Sequence, residues 1–363
     1  MTKSYQEKDV CELIEEGLPL EANRSIDALL GEDFPDEHPN SLTLGTIDNS
    51  WFDEKPPPIE ALVYWNMEGD YIRKCMIPKG EVGFVAGAGG VGKSFFVIEL
   101  AMAVATQRPF LNIFDVSPKG GKVLLIMGET SPIGLKRRFH TISNYFLDLS
   151  HGRSEKERFR EDLKANFRHL CLAGDIKTLV KEDGRPSTWQ QELVNTLKSE
   201  ESWSLIIVDP MSRFMGADTE QDASAATKFI QTIEGLTKGI PGEPTVIITA
   251  HTNKSSREKE SIFSLGGNSM RGSSALFDGC RFGFMLVHIN TEEEKLIENL
   301  GQISTFNGKP IWMKMVKNNE AFLIDAPYLL QKGQDGILII EDAKSKAVVQ
   351  GLIHQRNNKK TRK

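Results

Sequence analysis

No stretch of this chain approaches the roughly 18 uninterrupted apolar residues that a membrane-spanning helix needs, which argues against a helical membrane protein. The opening residues, Met1-Thr2-Lys3-Ser4-Tyr5-Gln6-Glu7, lack the apolar core of a secretory signal. Cysteine is scarce and scattered. Cys11, Cys75, Cys171 and Cys280 form no C-x-x-C pair, which argues against a zinc site and a disulfide framework and leads us to expect a reducing cytoplasm. No internal repeat of fixed period is present, so a solenoid or propeller is not expected. A basic excess is missing too: the formal charge is −6, so bulk charge does not mark a nucleic-acid binder.

That charge is unevenly spread. Residues 1–60 hold 15 Asp and Glu against 4 Lys and Arg, a local −11, which leaves +5 for the rest of the chain. The last eleven residues contain Arg356, Lys359, Lys360, Arg362 and Lys363 and no acid. Residues 1–54 read as an acidic flexible arm or small docking element, with a helix expected around residues 10–16. Lys55-Pro56-Pro57-Pro58 is a stiff, extended boundary. Residues 55–330 then form one domain, and residues 331–363 an extension with a weak strand or helix and a disordered basic tail. At 363 residues, 39 % hydrophobic and 26 % charged, the chain has the composition of an ordinary soluble protein with one large domain or two modest ones.

Within the main domain, short apolar runs alternate with longer helical patterns, the signature of an α/β fold on a mostly parallel sheet. Strands are expected at 82–86, 123–127, 169–173, 205–208, 245–249 and 282–287. The clearest helices are at 93–105, 135–149, 189–197 and 223–236. A C-terminal β-hairpin is expected from 311–316 and 321–324, turning at 317–320.

Gly87-Ala88-Gly89-Gly90-Val91-Gly92-Lys93-Ser94 fits G-x-x-x-x-G-K-[ST], and it follows a predicted strand and opens a predicted helix. Unpaired N–H groups and the helix dipole favour an anion there, and the glycines let the backbone wrap a phosphate. Lys93 would neutralise phosphate oxygens and Ser94 would hold Mg²⁺, so ATP with Mg²⁺ is the expected ligand pair. Phe95, next along the helix, counts among the nucleotide-binding residues.

Leu205-Ile206-Ile207-Val208-Asp209 is an apolar strand ending in an acid, about 115 residues after the loop. Asp209 would orient the Mg²⁺ shell at the C-terminal sheet edge, together with Ser94; many buried strands also end in Asp as a turn former. Val123-Leu124-Leu125-Ile126-Met127-Gly128-Glu129 is a second strand with an acid. Glu129 either polarises the attacking water or starts a helix as a surface residue. His251, just past a core strand, is either a sensor of the terminal phosphate or a structural histidine. The long polar loop 253–270 is either functional or mobile; in an oligomeric motor it could line a channel, with Lys254 and Arg257 as candidate contacts to a single-stranded DNA backbone. Arg271, in Arg271-Gly272-Ser273-Ser274, is either a finger reaching a neighbouring subunit's nucleotide or an ordinary ion-pairing residue. Lys317 has the same two readings.

In this order, the loop, Glu129 with Arg137-Arg138-Phe139-His140, Asp209 in Val208-Asp209-Pro210-Met211-Ser212-Arg213-Phe214, His251 with Lys254, and Arg271–Ser274 leading to Asp278 and Arg281 resemble the RepA-type hexameric replicative helicases of plasmids and phages. These belong to the RecA/DnaB superfamily, and the resemblance covers roughly residues 56–328. It implies a RecA-like core in a homo-hexameric ring, ATP between subunits and single-stranded DNA in the hole. Carried over by position, Glu129 is the catalytic base, His251 the γ-phosphate sensor and Arg271 a finger in trans. Lys317 and Asn319 fall where the family has a lysine and a second polar or arginine residue at a hairpin, and Lys317 is counted among the nucleotide-binding residues. Thr130 departs from the pattern, since many relatives carry an acid there. The expected function is thus an ATP-hydrolysing DNA helicase or translocase in replication. The alternative is a RecA-like ATPase that binds DNA or a protein without unwinding, as a loader, mediator or switch; a small-molecule kinase fits less well. The acidic arm or the basic tail would contact a replication partner.

Overall fold

The computed structural model describes residue 45 and residues 47–66, 73–175, 177–216, 222–252, 262–264, 274–299, 310–321, 323–324, 326–333 and 336–361. The helix expected around 10–16, Lys254, Arg257 and Arg271 all lie outside these residues. The chain divides into two units, Met1–Pro57 and Pro58–Lys363. In the first, the one described element is the single-turn helix α1 (Ser50–Asp53), where the Asp48 carboxylate accepts from the Ser50 backbone N–H at 3.0 Å.

The second unit is built on two sheets. The strands β1 (Ala61–Asn66), β2 (Arg73–Pro78), β3 (Val82–Gly87), β4 (Asp115–Val116), β5 (Lys122–Met127), β6 (Phe167–Cys171), β7 (Trp203–Asp209), β8 (Thr245–His251), β9 (Phe282–His288), β10 (Ile311–Asn318), β11 (Tyr328–Lys332) and β12 (Leu338–Ile340) appear in chain order. A small antiparallel sheet has the order β2-β1-β4. The large one has the order β12-β11-β10-β9-β3-β8-β7-β5-β6. From β9 to β6 all pairings are parallel, and from β9 to β12 they are antiparallel.

The inner strands β5, β7 and β8 are rich in consecutive Val, Ile and Leu because helices cover both faces. Between the strands lie α2 (Lys93–Thr106), α3 (Pro132–Asp148), α4 (Arg153–Asn166), α5 (Thr188–Lys198), α6 (Ala223–Lys238), α7 (Ser274–Gly279), α8 (Thr291–Asn299) and α9 (Asp342–Thr361). Val85, Leu125, Leu205 and Ile247 pack with α2, α3 and α4 on one face. Phe84, Leu124, Ile206 and Ile248 pack with α5, α6 and α7 on the other. Helix starts follow local chemistry. Ser131 accepts from the Gly134 N–H before Pro132, Ser187 from that of Gln190, and Asp222 from those of Ser224 and Ala225.

The centre of the sheet is fitted by reciprocal glycine–phenylalanine pairs. Gly83 stands opposite Phe282 and Phe84 opposite Gly283 across β3 and β9. A Cβ on Gly83 would lie 2.2 Å from the Phe282 ring, and one on Gly283 would lie 2.1 Å from Phe84. Each ring thus fills the space its partner leaves empty.

The six core strands and four helices expected are found with ends shifted by at most three residues. Four features differ from expectation. The β10 strand runs through Lys317 to Asn318, where the Asn318 side chain accepts from the N–H groups of Glu320 and Ala321 and ends it. The described residues among 321–324 are in no strand, and β10 pairs instead with β11. The boundary expected at 330 falls inside β11, so the C-terminal segment belongs to the same sheet. The helix α9 runs to Thr361, in place of the disordered tail expected there, and packs Val348 and Val349 near Trp312 and Leu329. Among the described residues, no helix is long and apolar enough to cross a membrane.

The α2 helix is buried from Phe96 to Thr106. This includes Glu99, which has no exposed surface and neither of whose oxygens makes a hydrogen bond of good geometry, the Leu338 N–H offering only a weak contact. Burial pushes its carboxyl well above the usual carboxylate range, countered only in part by the Leu338 N–H. A carboxyl raised in the folded state keeps a proton that the unfolded chain releases above about pH 4.5, so it costs progressively more stability as pH rises. Glu99→Gln, which has no such proton to lose, is therefore expected to be more stable than the parent, with a gap that widens from pH 5 to pH 8. Urea midpoints that stay parallel over this range would show that Glu99 does not titrate in this way.

Candidate nucleotide site

The carboxyl ends of β3, β5, β7 and β8 meet at one edge of the sheet. Gly87, the last residue of β3, pairs with His251 of β8, and Met127 of β5 pairs with Asp209 of β7. This register brings the loop after β3, Glu129, Asp209 and His251 to a common edge, where ligands of open α/β sheets bind.

The loop from Gly87 to Ser94 turns sharply into α2. Gly92 has φ of 122°, a conformation that side-chain-bearing residues rarely adopt. Ala88 and Val91 are buried and anchor the loop, whereas Gly89 and Gly90 are exposed, with nothing within 4 Å of where a Cβ would stand. The Lys93 ammonium is folded back onto the loop, donating to the carbonyls of Gly87 at 2.9 Å and Ala88 at 3.0 Å. The half-buried Phe95 packs against the core of the α2 face, with the Arg138 guanidinium 6.0 Å from its ring centroid.

Asp209 is the polar centre of the edge, only 5 % exposed at the end of an otherwise apolar strand. Ser94 Oγ donates to its Oδ2 at 2.7 Å. Thr249 Oγ1 donates to its Oδ1. The outer oxygens of this Ser94–Asp209 pair are hard ligands at the mouth of an N–H-rich loop, a donor set suited to Mg²⁺ beside phosphate. The residues present therefore fit MgATP.

Glu129 lies two residues beyond β5. The Gly128 N–H donates to the Asp209 carbonyl at 2.8 Å, which fixes the approach of this segment. The turn Met211–Arg213 packs against Gly128, where a Cβ would come within 2.8 Å of Arg213 Cβ. Arg213 Nε donates to Glu129 Oε1 at 3.0 Å, and the two side chains are 61 % and 48 % exposed. The acid read as a candidate base is thus held by an arginine in a wet setting. Thr130, the next residue, accepts from Arg138 at 2.9 Å.

Lys317 is placed elsewhere. It pairs with Gly283 near the start of β9, at the opposite edge of the sheet. Its ammonium donates to the carbonyls of Phe277 and Asp278 at the end of α7 and lies 4.9 Å from the Phe277 ring. The structure does not bring it, or Asn319 after it, to the phosphate loop of its own chain. The roles of Thr249 and Arg213 escape a reading of the sequence. A threonine within the apolar run 246–250 is the available signal for the first, whereas nothing local marks the pairing of Arg213 with Glu129.

Fold and site together define a P-loop ATPase domain. By the match of residues 39–257, the chain belongs to the AAA domain family. That match includes the phosphate loop, Glu129, Asp209 and His251, and ends before β9. No curated protein is detectably similar in sequence. Among solved structures the chain is similar to one described as an "ATPase Domain", at 10 % identity and a TM-score of 0.47, over 73 % of this chain and 86 % of that one.

The Thr249 hydroxyl is the buried donor that holds Asp209. Thr249→Val keeps the shape and removes that donor, so it is expected to destabilise the protein by about 1–3 kcal/mol. Denaturant unfolding measures this, and an unchanged midpoint would mean that Asp209 does not depend on the hydroxyl.

Proposed function

We propose that this protein hydrolyses ATP and uses the cycle to move along or unwind single-stranded DNA, as a homo-oligomer of the RepA helicase type. The observation that carries the ATPase reading is the hydrogen bond between Ser94 and Asp209, which joins residues 115 positions apart at the mouth of an N–H-rich loop. The DNA reading is supported by the order of the motifs and by the resemblance they carry.

Bound MgATP supplies the phosphoanhydride and the metal charge. Each residue's task follows from its place. Lys93 moves its ammonium from the loop carbonyls to phosphate oxygens, whose negative charge is the stronger partner. Ser94 and Asp209 hold the metal shell. Glu129 accepts a proton from the attacking water once Arg213 yields one of its oxygens. His251, opposite Gly87, reads the terminal phosphate and passes its presence to the loop that follows. Arg271, in trans, supplies charge to a neighbour's nucleotide.

A second reading is an ATPase that binds DNA or a protein without unwinding. The small charge excess of +5 beyond residue 60 favours it, since strong binding to phosphate backbones needs many cations.

Lys93→Ala is expected to abolish most hydrolysis. Glu129→Gln should bind ATP as the parent does while lowering kcat by about 100-fold or more. Calorimetry and phosphate release check both, and parental turnover in either variant would remove the role assigned to it. Hydrolysis stimulated by single-stranded DNA, with displacement of a forked duplex, supports the motor reading. Stimulation without displacement supports the second, and hydrolysis indifferent to DNA excludes DNA as the partner.

A further inference from the structure

The β11–β12 hairpin lies beyond the residues matched to the AAA domain family, and it closes on the phosphate loop. Lys332, at the end of β11, donates to the Gly90 carbonyl at 3.3 Å. Its Cε and the Leu338 methyls stand 3.7 Å from where a Cβ on Gly92 would be. Gly336, at φ of 97°, brings the hairpin backbone to Phe95; a Cβ there would lie 2.9 Å from the ring. Three residues of one hairpin thus touch three positions of the loop and of the first turn of α2.

A triphosphate whose reacting end lies with Glu129 and Asp209 must send its other end across that first turn, past Ser94 to Phe95. Phe95, Arg138 and the hairpin residues Lys332 and Gly336 are all partly exposed there, and the buried Leu338 backs the hairpin against Gly92. Lys332 suits a polar ligand. Partial burial holds its amino group below the usual lysine range, and among the described residues no carboxylate offsets that cost. Its Cε lies beside Gly92 while its ammonium is held by the Gly90 carbonyl.

We propose that the β11–β12 hairpin is the wall of the site that receives the nucleoside, with Lys332 contacting the ribose and tying the wall to the loop. This rests on the nucleotide reading above and extends it beyond the phosphates. Lys332 then acts on the part of the ligand common to ATP and ADP, and it leaves inorganic phosphate chains unaffected.

Calorimetry on the full chain with Mg²⁺, using ATP, ADP and inorganic tripolyphosphate as ligands, tests this with Lys332→Ala and Lys332→Arg. In the alanine variant, ATP and ADP are expected to weaken together by about tenfold. Tripolyphosphate should bind as to the parent, which also shows that the loop is intact, and arginine should restore part of the loss. Unchanged affinity for both nucleotides would overturn the proposal. So would an equal loss for tripolyphosphate, which would make Lys332 a phosphate ligand instead. A parent protein that binds none of the three overturns the nucleotide reading itself, whereas a parent that binds beside an unaffected variant overturns only the role of the hairpin.

Discussion

The apolar burial of α2 on every side is the constraint from which the site follows. A helix that is buried from Phe96 to Thr106 cannot rotate or slide without exposing part of the core, so the direction of its N-terminus is fixed by packing. Each large side chain in it is worth about 1.5–3 kcal/mol of burial, against about 1 kcal/mol for a typical hydrogen bond. Packing therefore sets where the unpaired N–H groups point, and polar contacts adjust only what surrounds them. The poorly compensated Glu99 carboxyl is tolerated in the same helix for this reason: one costly group is outweighed by its many apolar neighbours.

The parallel sheet supplies the second coordinate. Because β3, β5, β7 and β8 run the same way in register, residues far apart in sequence end at one edge. That arrangement is legible from the chain alone, since parallel strands covered on both faces must be largely apolar runs, and those of β5, β7 and β8 have a polar residue at or just past their ends. The phosphate loop, Asp209 and Glu129 can be singled out on that basis. Lys317 cannot be placed in the same way, because a hairpin residue is assigned to one edge or the other by strand length and register. A local pattern does not show that β10 continues through it or that Asn318 closes the strand. The charged helix α4 is invisible for a different reason. It buries only Phe159 and Leu163, too few apolar positions to reveal a period, and is held partly by Arg108 from outside it. The closure of β11 and β12 on the loop joins Gly90 to Lys332, 242 residues later, which is a purely tertiary fact.

The two acids at the site are held by different means, and this divides its labour. Asp209 is buried and fastened by two hydroxyls, so its position is part of the fold and moves only if β7 and β8 move. Glu129 is half-exposed and held by one ion pair with a still more exposed Arg213, an interaction worth at most about 1 kcal/mol in water. Such a pair can exchange partners at almost no cost to the fold. A metal ligand gains from rigidity, because its geometry must be in place before the ion arrives. A base gains from being released only when a water and its phosphate are in place, since a carboxylate already free would meet bulk water first. On the roles proposed for Asp209 and Glu129, the strong contact and the weak one fall where each chemistry needs them.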